Sequence, residues 1–379
     1  MSARRSNGPG IATRVFGSQW FVSVLAVLIA FAIGAILIAL SGASVVDAYY
    51  AMFRGSIVDP NAANAVRMIK PLTDSLFYSI PLIISGLGLA LGFRAGLFNI
   101  GGKGQIIVGA LAAVWVGFAV NLPPVLHTLV ALLVAVIAGG LYAGIAGVLK
   151  AKTGANEVIV TIMLNSIATL GLGYTLAQKA WQVPGTNQPV TPKVAESAAL
   201  ARLLPAPFKL HVGFLVALVA LVAFWWLIER STLGFQIRAV GANAAAARTA
   251  GISVERITAI TMVLSGAFLG LAGANEALGT IGYVSRDVAG SIGFDAITVA
   301  LLGRNKTWGT FGAGLLFGAF KAGGYTMQAK GVPIDMILIL QSVIVLLIAA
   351  PALVRWLFRL PDVRALAANT RKENADEHK

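Results

Sequence analysis

Apolar residues in this chain come in long runs rather than alternating with polar ones. Ten stretches, residues 20–40, 76–92, 105–120, 126–149, 158–177, 210–228, 257–280, 291–302, 308–325 and 334–353, contain few charges and are apolar on every side. A helix in a soluble domain keeps one polar face for water, whereas a helix that is apolar all round is buried in a core or sits in lipid. Most of the ten approach the roughly 20 residues needed to cross the hydrocarbon of a bilayer. The pattern predicts an all-α, polytopic transmembrane bundle of about ten segments (8–10). Two of them, 105–120 and 291–302, are short. They border glycine-rich, charge-bearing stretches, Gly101-Gly102-Lys103-Gly104 and Gly303-Arg304-Asn305-Lys306. Short, glycine-interrupted segments in both halves of a chain point to broken or re-entrant helices around a transport path.

Composition agrees. Of 379 residues, 58% are hydrophobic and 12% charged, against about 25% charged in soluble proteins. That overrides the two or three soluble domains that length alone suggests. With no cysteine, disulfides, thiolate metal sites and a thiol nucleophile are excluded. The net charge of +14 does not mark a nucleic-acid polymer as partner, because the basic residues collect in loops. With both termini cytoplasmic, Arg4, Arg5, Arg14, Lys150, Lys152, Arg230, Arg238, Arg248, Arg256 and Arg355 fall inside. The outer basic residues are diluted over two long loops, 41–75 and 178–209, and long loops weigh little in the positive-inside rule. The expected division is a cytoplasmic N-terminal tail (1–19), a transmembrane domain (20–355) with a cytoplasmic loop (230–256), and a cytoplasmic C-terminal tail (356–379). Ser41-Gly42-Ala43 could pass for a cleavage site, but the preceding run of about twenty residues exceeds a signal core, so it reads as a retained first span.

The loop 231–252, STLGFQIRAVGANAAAARTAGI, is the most specific polar segment. Asn243 suits a helix N-cap, Ala244 to Ala247 favour helix, and Gly251 suits a left-handed stop. Arg248 falls in the last turn, where a cation complements the helix dipole. Such a helix either presents its small face to a cytoplasmic partner or rests at the membrane interface. No phosphate loop occurs: Gly104 stands where Ser or Thr would hold magnesium. His127, His211 and His378 are far apart and form no zinc-protease motif. The chain is therefore not expected to be an enzyme or to bind a cofactor or metal.

Four stretches resemble the permease subunits of ABC importers for nucleosides and simple sugars, within the branched-chain amino acid and ribose permease group. They are FRAGLFNIGGKGQIIVG (93–109), NEVIVTIMLN (156–165), the 231–252 loop and GFDAITVALLGRN (293–305). The resemblance implies a multi-pass protein of the bacterial cytoplasmic (inner) membrane. It implies a second, different permease subunit, ABC ATPase subunits that use ATP and Mg, and an extracytoplasmic solute-binding protein. It makes 231–252 the ATPase-coupling loop, with Arg238, Gly241, Asn243, Ala245, Arg248 and Gly251 as its residues.

Intramembrane polar groups must find partners or line a cavity, which makes Asn99, Gln105, Asn165, Asn275, Glu276 and Asp295 substrate-path candidates; Phe98 joins them because its ring could stack on a base or sugar face. Each has a structural alternative. Asn99 could cap a half-helix, Asn165 could hydrogen-bond a neighbouring helix, and Phe98 could simply pack. Glu276 could pair with Arg286 or Lys321, and Asp295 with Arg304. The scarcity of buried charge favours a neutral solute over a zwitterionic branched-chain amino acid. An ion-gradient-driven secondary transporter would also explain broken helices, but it needs paired intramembrane acids, and only Glu276 and Asp295 are at hand.

Overall fold

The computed structural model describes residues 19–329, 331–333, 338–339, 342–343 and 346–347. Segment 334–353 and both tails lie largely or wholly outside them. Among the described residues the protein is all-helical, with one isolated bridge between Arg202 and His211. The helices are α1 (Gln19–Leu40), α2 (Val45–Ser56), α3 (Ala65–Arg94), α4 (Gly102–Ala119), α5 (Leu126–Thr153), α6 (Glu157–Ala177), α7 (Gly213–Arg230), α8 (Thr232–Ala242), α9 (Ala244–Thr249), α10 (Val254–Asn275), α11 (Ile292–Leu302) and α12 (Thr307–Gln328). A π-helical turn, Glu276–Ile281, continues α10.

Among the described residues, six helices are long and apolar enough to cross a membrane: α3, α4, α5, α6, α7 and α10 with its π-helical end. Two apolar helices are shorter, Val27–Leu40 within α1 and α11. The expected long loop 41–75 is corrected: α2 and the first turns of α3 occupy much of it. Its polar composition hid them, because α2 mixes Asp47 and Arg54 with apolar residues. The loop 178–209 is irregular but ordered, tied by Thr191 N to Val284 O (3.0 Å), Val194 N to Gly282 O (3.0 Å) and Leu200 N to Leu278 O (3.1 Å).

The chain divides into two compact units, residues 1–50 with 327–379, and residues 51–326. In the first, the Tyr49 hydroxyl donates to the Phe31 carbonyl and the two rings meet edge to face at 5.4 Å. In the second, α3 is the central helix and packs on α7, α10 and α11. Its 30 residues span about 45 Å at helical rise. Asn64 caps it by accepting from Arg67 N at 2.9 Å.

The packing rule is the reverse of a soluble core. On α5, Ala131, Ala135, Gly139, Ala143 and Gly147 point inward, while Leu129, Leu133, Ile137, Leu141 and Ile145 are exposed. Both sets repeat every fourth residue, so each forms one face. Lipid offers no hydrophobic gain for burying leucine, so small residues take the interface and let backbones approach. A Cβ on Gly139 would lie 2.7 Å from the Gly270 Cα, and one on Gly109 would strike the Gly270 backbone. Gly139→Leu is expected to cost about 1–3 kcal/mol or more through overpacking and to deplete folded protein in detergent chromatography. Gly171→Leu, on α6 with open space at its Cβ position, should elute like the unsubstituted protein.

Candidate functional site

Between α3 and α4 the chain breaks at residues 95–101. Gly96 takes φ +73° there, a conformation that glycine adopts at little cost. A break inside a membrane bundle exposes backbone groups that lipid cannot satisfy. Helix α6 supplies the partners. Glu157, Thr161 and Asn165, each one helical turn from the next, share one face. Glu157 Oε1 accepts from Phe98 N (3.4 Å), and Thr161 Oγ1 accepts from Ile100 N (3.3 Å). Asn165 Nδ2 donates to Ile100 O, and its Oδ1 accepts from Gly104 N, both at 2.8 Å. Lys150 holds the second Glu157 oxygen at 2.6 Å. Asn156, one residue before the helix, caps it.

Inside the break, Asn99 and Gln105 exchange two side-chain hydrogen bonds of 3.0 Å. Asn99 also donates to Ser265 Oγ on α10 (3.0 Å) and accepts from Gly101 N (2.9 Å). Both amides are 1% exposed. The N-termini of α4, which is long enough to span, and of the short helix α11 meet beside them. A Cβ on Gly293 would sit 2.5 Å from Lys103 N and 2.9 Å from Lys103 Cα. Glycine at this position lets the two broken segments of the chain halves touch. Phe98 is half-exposed and its ring leans on Phe93 at 4.9 Å.

The 231–252 segment holds two helices rather than one. Ser231 caps α8, a helix that the sequence pattern had not separated, by accepting from Gly234 N at 2.9 Å. Asn243 both ends α8, through N–H to Ala239 O, and caps α9, accepting from Ala246 N at 3.0 Å. Gly251 has φ +81°, and Ile252 N closes on Ala247 O at 3.0 Å. Arg248 pairs with Glu255 at 2.7 Å on the surface. Ala245 is exposed, whereas Arg238 has a buried Nη1 with no hydrogen-bond partner among the described residues. A groove of about 560 Å³ follows Phe235, Ala239, Ala246 and Ala250.

Gly241 joins this segment to the break. Its missing side chain leaves room for the Arg94 carbonyl and Ala95, where any Cβ would overlap. Arg94, the last residue of α3, donates through Nε to Asn305 O (2.8 Å) and lies 3.7 Å from Glu229. One arginine thus binds the ends of α3 and α7 to the α11–α12 turn. Sequence reasoning passed over Arg94, Glu157 and Thr161. The four-residue spacing of polar groups on an otherwise apolar α6 was the readable signal for the latter two.

The remaining candidates form a second group. Asn275 is fully buried and neither of its amide atoms has a hydrogen-bond partner among the described residues. The π-helical turn begins at the next residue, and such turns recur at functional sites. Glu276 hydrogen-bonds Thr280 and interacts electrostatically with Lys321. Asp295 accepts from Ser291 Oγ at 2.6 Å and also faces Lys321. Lys321 is within electrostatic reach of both acids.

The branched-chain amino acid transport system / permease component family matches residues 72–349. The chain belongs to that family. Permeases of this kind are the membrane subunits of ABC transporters, and ATP hydrolysis lies in partner subunits. The guanosine ABC transporter permease protein of Bacillus subtilis is 40% identical over 349 residues, covering 89% of this chain and 95% of the relative. A glucose ABC transporter permease protein of Haloferax volcanii is 35% identical, covering 85% of each. A nucleoside ABC transporter permease protein of Lactococcus lactis is 31% identical, covering 92% of this chain and 95% of the relative. No solved structure matches significantly. This permease is an integral membrane protein.

Proposed function

We propose that this permease is one of two different permease subunits of a bacterial ABC importer for nucleosides, working with ATPase subunits and an external binding protein. The similarity to the guanosine permease over nearly the whole chain supports the solute class. A simple sugar is the second reading, favoured by the similarity to the glucose permease. In this reading both termini and the 231–252 segment face the cytoplasm of a bacterial inner membrane. The seat of Gly241 on Arg94 carries the mechanism. An ATPase gripping α8 and α9 pushes the end of α3, and Arg94 passes the displacement to α7 and to the α11–α12 turn. The α6 ladder makes the 95–101 break move as one piece. Solute shifts this equilibrium only by its differential affinity for the two states, and Asn275, Glu276 and Asp295 are the polar groups offered to it.

Uptake of radiolabelled guanosine, glucose and leucine by cells with and without the gene tests the proposal. Guanosine uptake is expected to disappear with the permease, and an ATPase to co-purify with it in detergent. Loss of leucine uptake alone would reject the solute class, and uptake driven by an ion gradient without ATP would restore the secondary transporter.

A further inference from the structure

At the other end of α3 lies a recess of about 590 Å³, a volume within the range of small-molecule sites. Asp74 on its wall is roughly 30 Å from Arg94 at helical rise, about the thickness of the hydrocarbon. The recess therefore opens on the side opposite α8 and α9. Its chemistry is uneven. Lys70 holds Asp74 Oδ2, but Asp74 Oδ1 is buried with no hydrogen-bond partner among the described residues. A buried carboxylate oxygen without a donor is unfavourable, and Asp74 lines the recess with a side chain 17% exposed, so a small rotation presents the carboxylate to an N–H or O–H that enters. Beside it Tyr78 and Tyr325 stand with ring centroids 5.3 Å apart, and Tyr325 is 44% exposed. Tyrosine offers an apolar face and a polar tip to the same ligand. The Tyr78 hydroxyl is within electrostatic reach of both Asp74 and Glu276.

We propose that this recess is an entry site for solute, taking an uncharged nucleoside whose base lies against Tyr325 and whose N–H edge donates to Asp74. The assignment rests on the nucleoside reading above. Arg67 and Lys209 add positive charge to the lining, which suits an acidic protein surface, but a rim charge does not account for a carboxylate short of a donor beside two tyrosines.

The test uses the assembled permease–ATPase complex, purified without the binding protein and titrated with tritiated guanosine, and the same complex in proteoliposomes with guanosine-loaded binding protein. The unsubstituted complex should bind guanosine saturably. Asp74→Asn and Tyr325→Ala should each weaken binding about tenfold, the scale of one lost charge-assisted hydrogen bond or aromatic contact, and slow uptake. ATP hydrolysis stimulated by loaded binding protein should stay unchanged, and Asp74→Glu should recover most of the binding. Uptake by the unsubstituted complex with no saturable binding, or binding indifferent to both substitutions, overturns the entry site and leaves the nucleoside reading standing. Unaltered uptake in Asp74→Asn, with stimulated hydrolysis lost in Lys209→Glu, would make the recess a docking surface for an acidic partner instead. Absence of nucleoside uptake by the unsubstituted complex overturns both readings.

Discussion

Ala245→Trp should reduce ATP-driven uptake about 30-fold, the scale of an interface anchor worth ~2 kcal/mol, without lowering the amount of permease in the membrane. Ala245 lies on the exposed side of α9. The larger ring therefore meets no part of its own chain, and only a docked partner would resist it. Gly241→Leu should abolish uptake for a different reason. Its side chain would occupy the space of the Arg94 carbonyl and lift α8 from the end of α3. This variant should therefore also melt earlier, whereas Ala245→Trp should melt normally and lose co-purifying ATPase. Uptake, membrane abundance and ATPase co-purification, measured on both, separate docking from transmission. Normal uptake by Ala245→Trp would remove α9 from the docking surface.

Asn165→Leu should lower the detergent unfolding midpoint by about 2–3 °C and cut uptake about tenfold. The substitution leaves Ile100 O and Gly104 N without their side-chain partner. An unsatisfied buried backbone group costs about 1–3 kcal/mol, although side-chain hydrogen bonds inside membranes average nearer ~0.6 kcal/mol. Two groups released together give about 2 kcal/mol, and at about 2.1 cal/mol/K of unfolding entropy per residue each kilocalorie moves the midpoint of a chain this size by about 1 °C. Thr161→Val should show a smaller shift, because Thr161 takes one such group. Thr169→Val is the control. Its hydroxyl donates only to the Asn165 carbonyl on its own helix, in an exposed position, and its loss should stay within about 0.5 kcal/mol. An Asn165→Leu permease that unfolds and transports like the unsubstituted one would show that the ladder does not hold the break.

The contrast between α9 and α6 shows which features could be read before the fold was known. The cap at Asn243 and the stop at Gly251 were legible because each acts on backbone groups within four residues. The short segment 291–302 was legible because length and glycine content are local too, whereas the expected short segment 105–120 is an 18-residue helix long enough to span, because the glycine stretch before it joins the helix. The polar residues were harder. Asn99, Gln105 and Asn165 were recognisable as groups that need partners in lipid, but their partners are the break's own backbone, Ser265 and each other. Glu276 and Asp295 were each matched to basic residues one at a time, whereas Lys321 is within electrostatic reach of both. The helices α2 and α8 escaped because their mixed composition gives no long apolar run.

Apolar length, charge placement, glycine breaks and caps are written along the chain, and they are enough for a polytopic helical membrane protein with interrupted helices and a small alanine-rich helix between spans. The seat of Gly241 on Arg94, the meeting of Gly102 and Gly293, and the grip of α6 on residues 98–104 depend on which helix lies beside which. Helix adjacency in lipid is decided by small-residue faces that let backbones touch. Those faces come from residues far apart in the chain, such as Gly139 and Gly270, and only packing brings them together.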